Sequence, residues 1–323
     1  MNQAQFEQQH RQFWSGIDQQ LSAGAKAEQH TAAIDLPAAY HHLCQHRALA
    51  SQRQYGQPLI DYLNDLAYRC HLQLVSQDGN PGLKLATFLR VDFPASVRQQ
   101  WRWHAISLCC LVIPGLLIAA ALITTPALIY SLMPTESVAN LHQLYPADTG
   151  ASSGSARSAD QDLAMFGFYV RNNIGIALRA MGSGLLFGIG SIAIMIYNGI
   201  MLGAIASHLT INGAGHALYS FVIAHGAPEL IAIVLAGGVG LQFGWAVIAP
   251  GQWRRRDALR RTAKQLVPVI LGVLLLLLLA AFIEAFWSPR VLPLAVKYSV
   301  GGAIWVAILC YFAFSGRRHA QRE

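Results

Sequence analysis

Charge is the scarcest commodity in this chain. Asp, Glu, Lys and Arg make up 12% of 323 residues, about half of the ~25% that soluble domains carry. That shortage excludes an ordinary soluble domain. Cysteine is equally sparse: Cys44, Cys70, Cys109, Cys110 and Cys310 form no CxxC pair and no regular framework, which fits a reducing compartment or burial in helices. Residues 1–30 contain no apolar run of the kind that opens a secretory signal, so the amino-terminal segment is expected to stay in the cytosol. Catalytic signatures are missing too. There is no HExxH with a third ligand, no Walker loop, no GxSxG and no Rossmann strand context, so the expectation is a non-enzyme with no cofactor and no metal.

Apolar residues are present in excess: 54% of the chain, with a mean hydropathy of +0.37. They are unevenly spread. Residues 1–103 are rich in Gln, His and Arg, whereas 104–314 hold nearly all the long apolar runs. The fold expected is all-α, a polytopic transmembrane helical bundle preceded by a helical cytosolic segment. Its divisions are 1–103, ending in an interfacial helix, a membrane domain at 104–314 with five to six helical segments, and a tail at 315–323. The net charge of +7 comes from cations crowded beside apolar runs. That favours a role in membrane orientation over nucleic-acid binding, and no nucleic acid is expected as a partner.

Within the first hundred residues, Leu36, Tyr40, Leu43 and Ala50 follow a helical period behind Pro37, and Leu59, Leu63, Leu66 and Leu74 form a second stripe. FPASVRQQWRWHA mixes cations with aromatics and suits an interfacial helix. Five apolar segments follow, at about 105–132, within 174–208, within 217–249, at 266–287 and at 294–314, each compared with the ~20 residues a span needs. The second is longer than one crossing requires, and NNIGIALRAMGSG at its start reads as a surface-lying stretch. The loop 133–162 holds Glu136, Asp148, Asp160 and Asp162 against Arg157 alone, while 252–264 and the final residues are strongly basic. The positive-inside rule therefore places 1–103, 252–264 and both termini in the cytosol and 133–162 outside. An even number of crossings must then separate the amino terminus from 252–264, yet the apolar count gives three. A broken or re-entrant element at AHGAPE (Ala224–Glu229), with its glycine and proline, is the expected source of the extra reversal.

Polar residues at the edges and insides of these spans are Asn172, Asn173, Arg179, Asn198, His225, Glu229 and Glu284. Each is costly against lipid, so an intramembrane polar network is expected. Asn198 should bond a neighbouring helix or widen a kink. Glu284 is read as an interfacial carboxylate, with Arg179 as the alternative partner. His225 and Glu229 stand four apart and could furnish two metal ligands. A helix start with Glu229 near the positive end of the dipole is the preferred reading. His208 and His216 are read as loop histidines. Gly184 and Gly188, Gly199 and Gly203, and Gly240 and Gly244 are spaced for close helix packing, and support a homo-oligomer only weakly.

Asn172-Asn173 opening a Gly-rich segment, Asn198-Gly199 followed by Gly203, His225-Gly226 with Glu229, and Glu284 before Phe286 together resemble the stage II sporulation protein M family of bacterial membrane proteins. YHHLCQHRALASQR, YLNDLAYRCHLQL and FPASVR resemble the cytosolic segment of its longer members. The resemblance implies an inner-membrane anchor that works with peptidoglycan-degrading enzymes of the cell envelope. The leading expectation is therefore a scaffold in the bacterial inner membrane whose partners are lipid, envelope or peptidoglycan-remodelling proteins, and a second copy of itself. The alternative is a permease whose path runs by His225, Glu229 and Glu284.

Overall fold

The computed structural model describes residues 2–23, 35–76, 81–147 and 158–316, and all regular elements among them are helical. Residues 148–157, most of the Ser/Gly/Ala/Asp-rich loop, and 317–323 of the basic tail lie outside the described residues. The chain divides into two units, Met1–Leu85 and Ala86–Glu323.

The first unit is built from α1 (Gln3–Ala23), α2 (Leu36–Gln52) and α3 (Gln57–Ser76). Pro37 sits in the first turn of α2, where a missing N–H leaves no helical bond unmade. Leu36, Leu43 and Ala50 of one stripe and Leu59, Leu63 and Leu66 of the other are buried, and Tyr40 and Leu74 pack against that core. Phe6, Trp14 and Ile17 of α1 complete it. Two features fix α1: Arg69 reaches Asp18 at 2.7 Å, and the Trp14 indole N–H donates to His46 Nδ1 at 3.1 Å. Desolvation, helped by His10 and His42, pushes the His46 pKa down to about 4.

The division falls within α4 (Pro81–Thr87), and the second unit continues with a π-helical turn (Phe88–Asp92) and α5 (Phe93–Gln99). Phe93 is buried, and its ring fills the notch left by Gly272. The first span, α6 (Trp101–Thr124), ends before Pro126, which starts a 3₁₀ turn (Pro126–Leu128), and Pro114 lies within it. Two short helices follow, α7 (Ile129–Leu132) and α8 (Thr135–Leu144), so part of the polar loop is helical. Then come α9 (Ala159–Gly182), α10 (Ile189–Ile211), α11 (Gly215–Val222), α12 (Gly226–Ile248), α13 (Arg255–Phe286) and α14 (Leu294–Phe314). Of these, α6, α10, α12, α13 and α14 are long and apolar enough to cross a membrane.

Contacts between side chains and backbones fix the directions of the helices. Gly199 and Gly203 of α10 lie on Leu111 and Gly115 of α6, and Ser207 Oγ donates to the Ala119 carbonyl at 3.1 Å, so α6 and α10 run parallel. Gly237, Gly240 and Gly244 of α12 meet Met195, Ser191 and Gly188 in that order, so α12 runs antiparallel to α10. Asp162 of α9 pairs with Arg290 beyond α13, and Phe166 packs on Phe286, so α9 is antiparallel to α13. Ala180, near the end of α9, reaches Gly240 in the second half of α12. Among the described residues the bundle therefore has six long runs of alternating direction, and α9, about 36 Å long, is the extra one.

This corrects the sequence reading of the middle block. The stretch 174–208 is not one overlong span with a surface-lying start. It is the end of α9, a 3₁₀ turn (Ser183–Leu185) and most of α10. The reversal sits at Phe187 and Gly188, both at positive φ (55° and 79°), a conformation that glycine adopts without penalty. The reversal expected at AHGAPE is not needed there, because His225, the N-cap of α12 with right-handed backbone angles, lies in a short turn that joins α11 to α12.

The central element is α12. Of its membrane-length stretch 61% is buried, against 17% of α6 and 11% of α14. Its small residues make that position possible, since a Cβ on Gly237, Gly240 or Gly244 would strike a neighbouring helix. Gly199→Ala should cost about 1–3 kcal/mol, because its Cβ would collide with the Leu111 carbonyl. Gly302→Ala, with nothing within 4 Å, should stay within about 0.5 kcal/mol. Unfolding of both variants in detergent would show the contrast. In the first unit, a folded-state pKa below the free value of 6.5 means that protons favour the unfolded chain. His46 should therefore destabilise α1 as pH falls from about 6.5 towards 4. Hydrogen exchange of α1 amides across that range should show the loss, and His46→Gln should flatten it.

Candidate functional site

Three helices bring polar groups together at the end of the bundle opposite the basic 252–264 stretch, which is not a loop throughout but forms the first turns of α13 from Arg255. The chain enters α12 through His225, whose carbonyl accepts the Glu229 N–H at 3.1 Å. Pro228 occupies the first turn, where its missing N–H costs nothing. The helix is thus continuous from Gly226 onward and puts Glu229 below His225, with Nε2 and Oε2 4.0 Å apart. Glu284, two residues before the end of α13, arrives from the antiparallel neighbour. His225, Glu229 and Glu284 each place one potential ligand atom within 4.8 Å of the others.

The imidazole is held from its other side. Ser288 Oγ lies 2.9 Å from His225 Nδ1, and the Ser288 carbonyl accepts a hydrogen bond from Lys297 Nζ at 2.9 Å. His225 is 3% exposed, and Ser288 and Lys297 are wholly buried. Phe221 of α11 packs edge-on against His225, with centroids 5.3 Å apart. The result is a polar chain running from α14 through the α13 terminus to the head of α12. Chemically it can lock helices, carry a proton or hold a cation.

The other polar residues lie elsewhere. Asn172 donates to Asn173 Oδ1 at 3.0 Å within α9, and Asn173 is buried. Arg179 is exposed and lies near the far end of α9, so it is not the partner of Glu284. The Asn198 amide donates to the Ile194 carbonyl of its own helix at 2.8 Å, not to a neighbour. The six glycines noted for their spacing all sit at backbone contacts: Gly184 on Gly240, Gly188 on Gly244, Gly199 on Leu111 and Gly203 on Gly115. His208 is not a loop residue. It lies in the last turn of α10 with its Nε2 3.0 Å from His142 Nε2, and His216 is in α11.

Ser288, Lys297 and the Asp162–Arg290 pair were not found from sequence. Asp162 is 3% exposed and Arg290 51%, so that pair reaches from a dry carboxylate to a wet guanidinium and pins α9 to the chain beyond α13. Lys297 did leave a signal, since an isolated cation in LAVKYSVGGAIW is rare enough in a membrane span to flag a partner.

A family model described as Stage II sporulation protein M matches residues 111–289, more than half of the chain. The match takes in α10, α12 and α13, with His225, Glu229, Glu284 and Ser288. A second, described as a domain of unknown function (DUF8413), matches residues 4–76, the three helices of the first unit. No curated protein and no solved structure matches the chain.

Proposed function

This chain belongs to the stage II sporulation protein M family, and from that premise we propose that it is a non-enzymatic scaffold of the bacterial cell envelope. It is an integral membrane protein. The observation that carries the scaffold reading is the contact between helices at backbone distance. Between α6, α10 and α12 the glycine positions leave no room even for a methyl group, which suits a rigid body and leaves no path for a substrate through that part of the bundle. Rigidity of this kind serves to hold partners, and the family points to peptidoglycan-remodelling enzymes as the partners held. His225, Ser288, Lys297 and Glu229 then act as a lock at one end of the bundle.

The orientation proposed is inner-membrane, with the basic end inward. Arg98, Arg102 and the start of α13 with its N-cap, carrying Arg254, Arg255, Arg256, Arg260, Arg261 and Lys264, lie at one end, and Glu136, Asp160 and Asp162 at the other. The positive-inside rule places the first set in the cytosol. In a cysteine-free background, Arg256→Cys in intact cells should resist an impermeant thiol reagent, whereas Glu136→Cys should react. Labelling of both from outside would reverse the conclusion.

A permease would use the same polar cluster differently, and proteoliposomes separate the two readings. Wild type, Glu229→Gln and Glu284→Gln should all leave proton and potassium leak at the protein-free level. Crosslinking in cells should recover peptidoglycan hydrolases or synthases with each of them. A wild-type flux that both variants abolish would overturn the scaffold reading.

A further inference from the structure

We propose that His225, Glu229 and Glu284 form a binding site for one divalent transition-metal ion that clamps the head of α12 to the end of α13. The donor atoms come from two helices and lie within 4.8 Å of one another. In a tetrahedral shell, ligand bonds of 2.0–2.2 Å set the donors about 3.3–3.6 Å apart, so the side chains need to draw in by up to about 1.5 Å. His225 Nε2 is 4.0 Å from Glu229 Oε2, within about half an ångström of that spacing.

The imidazole is prepared for the role. Its Nδ1 is engaged by Ser288 Oγ at 2.9 Å, the arrangement that fixes a metal-bound histidine when Nδ1–H donates outward and Nε2 keeps its lone pair. Nε2 then faces the Glu229 carboxylate at 4.0 Å, on a side chain that is 4% exposed. A buried ring nitrogen aimed at two carboxylates is what a cation would complete. One nitrogen and two oxygen donors select a first-row ion such as Zn²⁺ over Ca²⁺ or Mg²⁺, which prefer all-oxygen shells. The three donors leave a fourth position for water. The role assigned is a structural clamp, so it stands apart from the question of which partners the scaffold holds.

The probe is Zn²⁺ alone, added to the chelator-stripped full-length protein in detergent. Equilibrium dialysis should return one tight Zn²⁺ per chain, insensitive to excess Mg²⁺ and Ca²⁺. His225→Ala, Glu229→Gln and Glu284→Gln should each weaken it at least 100-fold, and Ser288→Ala about tenfold. His10→Ala/His46→Ala, which removes the closely packed histidine pair of the first unit, should leave it unchanged. Because a variant could lose its fold, the wild type carries an independent readout. X-ray absorption at the zinc edge should show a nitrogen and oxygen shell with a single imidazole. Absence of stoichiometric Zn²⁺, affinity unchanged in the three variants, or a shell with sulfur or several imidazoles would overturn the site. These outcomes leave the crosslinking and flux measurements untouched, so the two proposals can fail separately.

Discussion

Everything in the membrane unit depends on how closely α12 is approached by its neighbours. Lipid tails are as apolar as leucine, so burial gives helices no hydrophobic reason to associate there. What remains is dispersion between atoms that touch, and it grows as backbones close in. The stretch Leu235–Gly244 supplies that closeness, with four glycines in ten residues meeting Met195, His104, Ser191 and Gly188 in turn. The same logic pairs α6 with α10, where Gly115 and Gly203 interlock. Remove the small residues and there is no bundle for the polar groups to organise.

The polar cluster inherits its geometry from that packing. His225 and Glu229 lie at the head of α12, so wherever α12 is seated they are seated too. Because α13 returns antiparallel, its last turns bring Glu284 and Ser288 to the same level, and Pro293 then starts α14 so that Lys297 points back at the Ser288 carbonyl. A buried ammonium bonded to a carbonyl and a buried imidazole bonded to a hydroxyl are expensive arrangements, tolerable only where geometry satisfies each group. Placed at the end of the bundle, close to water, they cost less than at the middle. That position suits a lock better than a route across the membrane.

How much of this was legible in the sequence varied with the kind of signal. Long apolar runs gave α14 at 294–314 and the end of α13 to within a residue, because hydropathy is a local property, whereas the range 217–249 took in most of α11 along with α12. The glycine spacings marked contact positions but not their partners, since Gly184 meets Gly240 across a distance in the chain that no local pattern encodes. α9 escaped notice for the opposite reason. Asp160, Asp162, Arg171, Asn172, Asn173 and Arg179 dilute its apolar face, although Ala177, Ala180 and Met181 are buried against α12 and α13. The role of His225 depended on the turn around it. Gly226 and Pro228 look like a break when read alone, yet they fit the first turn of a helix without strain. Ser288 was hidden because its importance comes from the ring it touches, sixty-three residues earlier.

The parity argument shows what a global constraint adds to local reading. Three apolar spans between the amino-terminal segment and the basic loop would leave Arg98 and Arg102 on one face of the membrane and Arg254–Lys264 on the other. Charge alone cannot say which count is wrong. Packing can, because Phe166 on Phe286 and Ala180 on Gly240 fix both ends of α9 against helices of known direction. With α9 counted, Trp103 of α6 meets Trp245 of α12 at 5.9 Å, and Arg98 donates to the Phe312 carbonyl at 2.9 Å. The start of α6, the end of α12 and the end of α14 therefore share one end of the bundle, as four runs and then six require. A helix too polar to be recognised by hydropathy is what makes the charge distribution consistent.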